Sequence, residues 1–151
     1  MEHTKGRDHD RSRAQGQGEI QGERRDEAQT EYRGFKLDPF QVEAIRHLNE
    51  GRSVLVSAPT GVGKTLVADY LIDRMFHEGR RVIYTAPIKA LSNQKFKEFK
   101  RLLGAGNVGI VTGDVAINST AQILIMTTEI FRNMLHLSPE ALDGVSHVIF
   151  D

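Results

Sequence analysis

The segment Ala58-Pro59-Thr60-Gly61-Val62-Gly63-Lys64-Thr65 concentrates the residue types that hold a polyphosphate. Gly61 and Gly63 let the backbone curl until successive N–H groups face one anion. Lys64 brings a mobile positive charge to terminal phosphates, and Thr65 a hydroxyl able to ligate magnesium. Pro59, Thr60 and Val62 complete the loop that would wrap such a ligand. The loop departs from the general pattern at its first position, where Ala58 stands in place of glycine. The bland alternative is a glycine-rich turn with an incidental Lys-Thr pair, and the flanking elements decide between the two.

Val54-Leu55-Val56, just before the loop, is a short apolar run typical of a strand buried on both faces. Residues 65–78 follow with Leu66, Val67, Leu71 and Met75 at helical spacing, and Gly79 as terminator. A strand before the loop and a helix after it aim the positive end of the helix dipole at the same anion. Nucleotide binding is therefore the reading. Upstream, Asp38-Pro39 opens another helix, with Phe40, Ala44, Ile45 and Leu48 on one face and Gly51 ending it.

Strand and helix patterns continue to alternate downstream. Val82–Tyr84 reads as a strand, and 90–103 as a helix burying Leu91, Phe96, Phe99 and Leu103. Residues 108–112 read as a strand ending in a Gly113-Asp114 turn. A strand at 123–126, a short helix at 129–135 and a last strand at 148–150 complete the series. Strands alternating with helices imply an α/β layer structure, a parallel sheet with helices on both faces.

Composition narrows the rest. A chain of 151 residues has room for one domain, and 39% hydrophobic with 26% charged residues is ordinary for a soluble protein. A net charge of zero gives no overall attraction to nucleic acid, so any such binding must come from local placement of groups. The absence of cysteine removes disulfides, thiolate metal sites and thiol catalysis. The six histidines form no spaced ligand pair. No apolar run suits a membrane span or a secretory signal, so a cytoplasmic location is expected. Residues 1–33, rich in Arg, Asp, Glu, Gln and Gly, read as a disordered charged tail. Lys95, Lys97, Lys100 and Arg101 read as a solvated helix face.

With those elements in place, a family resemblance becomes specific. Ala58–Thr65 is similar to motif I of superfamily 2 helicases, in which alanine commonly stands first. Tyr84-Thr85-Ala86-Pro87-Ile88-Lys89-Ala90-Leu91-Ser92-Asn93-Gln94-Lys95 closely resembles motif Ia of the superkiller-type DExH-box RNA helicases, associated with the RNA exosome. Thr112-Gly113-Asp114 resembles the next motif, and Met126–Leu135 resembles motif Ib. Val148-Ile149-Phe150-Asp151 resembles the start of the DExH box. The resemblance runs from about Phe35 to the last residue, with the motifs in family order. It implies a P-loop, RecA-like fold, so 34–151 would be part of an N-terminal ATP-binding motor domain.

The resemblance also implies roles. ATP and Mg2+ would be the ligands, with Lys64 and Asp151 as catalytic residues and Thr65 and Asp151 on the metal. Pro87, Lys89, Gly113, Thr127 and Thr128 would contact nucleic-acid phosphates from one rim of the sheet, where helix N-termini offer backbone N–H groups. Thr127 and Thr128 equally suit a helix cap. Gln41 matches the family glutamine that reads adenine, while Asp38 and Gln41 also fit a D-x-x-Q capping box. The implied partner is RNA, as a single strand or a 3′-tailed duplex, together with a complex of helicase cofactors.

In the family, the glutamate that orients the attacking water follows the aspartate matched by Asp151. A Ser-Ala-Thr strand and arginines from a second motor domain lie further on. Without the base ~10²–10⁴ in rate is expected to be lost, and without an arginine finger ~10³–10⁵. The chain alone is thus expected to be inactive and its sheet incomplete, with Val54–Val56 and Val148–Phe150 both facing an empty slot and association-prone. A DNA helicase of the same superfamily, or a non-enzymatic ATP- or RNA-binding protein, remain the alternatives. A P-loop kinase accounts for neither Pro87–Lys95 nor Thr127–Asn133.

Overall fold

A computed structural model describes residues 29–151. Most of the charged tail, residues 1–28, lies outside the described residues, but its proposed boundary at residue 33 shifts. Strands β1 (Glu31–Tyr32) and β2 (Phe35–Lys36) form an antiparallel hairpin, so residues 31–33 belong to the folded part. Arg33 and Gly34 take φ of 51° and 79°, the positive pair that a two-residue hairpin turn demands. The hairpin is tied down by Asp73, which accepts hydrogen bonds from the Tyr32 hydroxyl and the Arg33 guanidinium.

The main sheet has five strands in the order β5-β4-β6-β3-β7. They are β3 (Arg81–Ala86), β4 (Val108–Val111), β5 (Ala116–Ile117), β6 (Ile123–Thr127) and β7 (Val145–Phe150). All pairings are parallel except that of β5, an antiparallel edge strand. β5 has no signature in the sequence, because its two residues carry no period. Gly109 makes the β4–β5 approach feasible: a Cβ there would sit 2.0 Å from the Asn118 carbonyl oxygen.

Among the described residues the α-helices are α1 (Pro39–Asn49), α2 (Lys64–His77), α3 (Lys89–Leu103) and α4 (Thr128–Leu137); α2, α3 and α4 lie on the sheet and α1 packs on α2. Successive side chains of a strand face opposite sides, and here that alternation divides the core. Val82, Tyr84, Ala86, Val108, Ile123 and Ile125 pack under Leu71, Ile72, Met75 and Phe99 of α2 and α3. Ile83, Leu124 and Met126 turn to the other side and meet Phe131 of α4. Complete burial of side chains such as Ile83 and Ile125 stabilises the fold by about 1.5–3 kcal/mol each. A third cluster, Leu37, Ala44, Ile45 and Val67, fastens α1 to α2. The expected parallel sheet with helices on both faces is what the chain forms.

One expected strand is absent. Val54-Leu55-Val56 has no ladder and runs as irregular chain, with Leu55 93% exposed. A strand exists through its pairing, and the described strand beside β3 on that side is β7. The outer side of β7 is a sheet edge, where Phe150 is 65% exposed although its ring meets Phe131 edge-on at 5.5 Å.

Candidate functional site

The phosphate loop leads into α2 with the expected geometry. Gly61 and Gly63 adopt φ of 86° and 84°, and Gly63 is the residue from which α2 starts. A Cβ on Gly61 would meet nothing within 4 Å, so it is the positive φ rather than crowding that calls for glycine there. A Cβ on Gly63 would come 2.7 Å from Gln41 Nε2, so glycine is required there twice over. Lys64 Nζ donates to the Ala58 carbonyl at 2.5 Å, which draws the lysine across the mouth of the loop. Pro59, Thr60 and Val62 lie in that same exposed turn, and Thr65 is in the first turn of α2.

Gln41 is 4% exposed and uses both ends of its amide. Its Oε1 accepts from the Asp38 backbone N–H at 2.8 Å, and its Nε2 donates to the Gly63 carbonyl at 2.9 Å. The capping box written in the sequence is therefore formed, and the same side chain also braces the phosphate loop. One amide hydrogen and one lone pair are left over for a further partner.

The remaining sequence-predicted residues gather at the C-terminal ends of the parallel strands, where open α/β sheets place their ligands. Pro87 and Lys89 follow β3, Gly113 follows β4, Thr127 and Thr128 join β6 to α4, and Asp151 follows β7. Lys89 Nζ reaches Asp114 Oδ1 at 2.9 Å and passes 4.0 Å from where a Gly113 Cβ would be. The hydrogen bond from Lys89, then that from Thr112, holds the Asp114 carboxyl below the usual range. Thr127 accepts from the Ile130 N–H at 3.4 Å, so the capping role is realised at the start of α4.

Asp151 is placed by β3. Its backbone N–H donates to the Thr85 carbonyl at 3.0 Å, and its carboxylate accepts from the Tyr84 hydroxyl. Burial, reinforced by that carboxylate, pushes the Tyr84 hydroxyl far above its ordinary range, so it serves as a donor. Thr65 and Asp151 offer hard oxygen donors, the chemistry magnesium selects, and magnesium bound with phosphates needs few protein ligands. Among the described residues, no cluster of three or more His, Asp or Glu could hold a metal by itself.

In the basic run on α3, Lys97, Lys100 and Arg101 are exposed as expected, and only Lys95 departs from a solvated face. Lys95 is withdrawn from water, with Nζ 3.1 Å from Glu98, 3.4 Å from Asp69 and 5.2 Å above the Phe99 ring. Burial raises the Asp69 carboxyl, and Lys95 opposes that rise. Sequence spacing concealed the arrangement because its partners, Asp69 on α2 and Lys95 on α3, meet only through the fold. The single clue was a carboxylate set among the apolar residues of α2.

The order of these residues along the rim matches one family. Its model, described as DEAD/DEAH box helicase, aligns with residues 38–151. The chain belongs to the DEAD/DEAH box helicases. Similarity is specific within that family. The yeast Saccharomyces cerevisiae protein named antiviral helicase SKI2 is 52% identical over 117 residues, covering 78% of this chain and 9% of its own. The ATP-dependent RNA helicase mtr4 of Schizosaccharomyces pombe is also 52% identical, over 78% of this chain and 10% of its own. The probable helicase HelY of Mycobacterium leprae reaches 44%, over 78% and 13%. The chain thus resembles the Ski2- and Mtr4-like DExH branch and spans about a tenth of the length of these relatives. A hypothetical ATP-dependent RNA helicase from Sulfolobus tokodaii superimposes with a TM-score of 0.59 at 22% identity, covering 78% of this chain and 38% of its own. That likeness supports the RecA-like helicase fold.

Proposed function

We propose that this chain is the nucleotide- and strand-binding part of an ATP-dependent RNA helicase motor. The observation that supports it best is the shared rim. The phosphate loop and α2 face one ligand, while Pro87, Lys89, Gly113, Thr127 and Thr128 offer successive contacts to a second. In this reading, backbone N–H groups of residues 59–64 and the Lys64 ammonium hold the ATP phosphates. Thr65 and Asp151 stand on the magnesium side, where the cation supplies charge neutralisation of the β- and γ-phosphates. Gln41 keeps Gly63 in place and directs its remaining N–H and lone pair toward adenine. The bound strand is single-stranded RNA, engaged by helix N-termini and Lys89 through its phosphates. A neutral chain needs no basic patch for such binding.

RNA is favoured over DNA because relatives from two yeasts and a plant carry RNA-helicase or helicase names at 52% identity. Strand separation is proposed for the motor as the family builds it, so the property to test on this chain is binding. A fluorescent ATP analogue is titrated with magnesium against the chain and against Lys64→Ala. Saturable binding that weakens at least about tenfold in the variant is expected, since a charge-assisted phosphate contact is removed. Equal binding by both proteins would remove the phosphate loop from the reading. Competition between RNA and DNA oligonucleotides of one sequence then tests whether 2′-hydroxyls contribute. Equal affinities would move the proposal to a strand binder indifferent to sugar.

A further inference from the structure

We propose that Tyr84 is a positioning residue for the magnesium-side carboxylate. Its buried hydroxyl clamps one oxygen of Asp151 and leaves the other to face a water of the cation's hydration shell. The inference rests on the reading of Asp151 given above and adds the group that orients it.

Tyr84 belongs to β3, an interior strand of the sheet between β6 and β7, and is completely buried. Its ring lies edge-on to Phe99 at a centroid distance of 5.7 Å, so the phenol has little freedom to swing. The hydroxyl is that side chain's single polar group, and it donates to Asp151 Oδ2. A buried hydroxyl needs a partner, and here the partner lies just past the end of the neighbouring strand β7. Two further bonds from the same strand fix the backbone around it. Thr85 Oγ1 donates to the Ile149 carbonyl at 3.1 Å, and the Thr85 carbonyl accepts the Asp151 N–H at 3.0 Å. A carboxylate on two free torsions samples many orientations, whereas one with an oxygen pinned presents the other in a single direction.

The clamp is continuous with the phosphate-loop helix. Lys95 Nζ lies 5.9 Å from the Tyr84 ring centroid while pairing with Asp69 on α2 and Glu98 on α3. The Tyr84 ring thus lies against Phe99 and the lysine that links the two helices. The partners that orient a ligand's own carboxylate typically matter 10–100-fold in metal affinity.

The test uses the chain as it stands, at fixed fluorescent ATP analogue with magnesium varied. Tyr84→Phe keeps the ring and its packing and deletes the donor. It is expected to raise the magnesium needed for half-saturation on the order of tenfold, with nucleotide binding in excess chelator unchanged as the measure of an intact loop. The double variant Tyr84→Phe with Asp151→Asn should be no worse than Asp151→Asn alone. An unchanged magnesium midpoint in Tyr84→Phe, alongside a shifted one in Asp151→Asn, overturns the proposal. No shift in Asp151→Asn either removes the reading of Asp151, and the clamp with it. A second readout avoids altering Tyr84. The chain has three tyrosines, and with fluorotyrosine incorporated one resonance should move when Asp151→Asn is introduced. No responding tyrosine would also overturn it.

Discussion

Replacing Gln41 by alanine should loosen the fold and the phosphate loop together. The side chain is buried and makes two hydrogen bonds, to the Asp38 N–H at 2.8 Å and to the Gly63 carbonyl at 2.9 Å. Each such bond contributes about 1 kcal/mol net, and losing one half of a capping box costs about 0.5–2 kcal/mol. The alanine variant also leaves the Asp38 donor and the Gly63 acceptor without their partner. The sum is about 2–3 kcal/mol. For a folded part intermediate between small and mid-sized domains, a loss of 1 kcal/mol lowers the melting temperature by about 4 °C, so a drop of roughly 10 °C is expected. Differential scanning calorimetry without nucleotide measures that drop directly. Nucleotide titrations then separate the two roles of the residue. A slack loop weakens ATP and GTP alike, and a lost adenine contact weakens ATP further. Gln41→Glu is the companion, because it keeps the acceptor for Asp38 but sets an oxygen against the Gly63 carbonyl. An alanine variant that melts with the unaltered chain would refute the reasoning, since two buried hydrogen bonds would then contribute nothing.

Two other expectations follow from charge. Asp114→Asn releases Lys89 from its 2.9 Å ion pair and removes a negative charge from the proposed strand-binding rim. Single-stranded RNA should bind about two- to fivefold more tightly, the gain shrinking as salt is raised; fluorescence anisotropy at two salt concentrations would show it, and weaker binding would contradict the role given to Lys89. His147 is held below its ordinary value of 6.5, first by burial and then by Arg74 and Arg80, with Glu78 opposing. The unfolded chain therefore takes up this proton more readily than the folded one, and stability present above pH 6.5 is lost as pH falls through that value. Melting temperatures between pH 7.5 and 5.5 should decline less in His147→Gln than in the unaltered chain.

Much of this was legible in the sequence wherever local pattern and fold agreed. The runs at 82–84 and 123–126 are strands because they are apolar on both faces, and a parallel sheet buries both. The phosphate loop was readable because Gly61 and Gly63 must take backbone angles that other residues resist. What escaped were features created by distant residues. The Tyr32–Lys36 hairpin was missed because its short strands depend on Asp73 of α2, and charged neighbours made it look like tail. Lys95 looked solvated until Asp69 and Phe99 enclosed it. Val54–Val56 carries the composition of a strand, yet composition alone cannot supply a neighbour to pair with.

β3 also sets a mechanical condition on the proposed motor. At its end this one strand holds Asp151 through Thr85 and Tyr84, and it runs directly into Pro87 and Lys89. It is laddered on both sides, to β6 and to β7, and buried on both faces. Moving the nucleotide side relative to the strand side inside this sheet would mean shearing two hydrogen-bonded ladders and a close-packed core at once. The two ligands therefore share one stiff frame. In the proposed motor, a nucleotide-driven stroke would displace that frame as a unit, with this sheet moving as one rigid jaw.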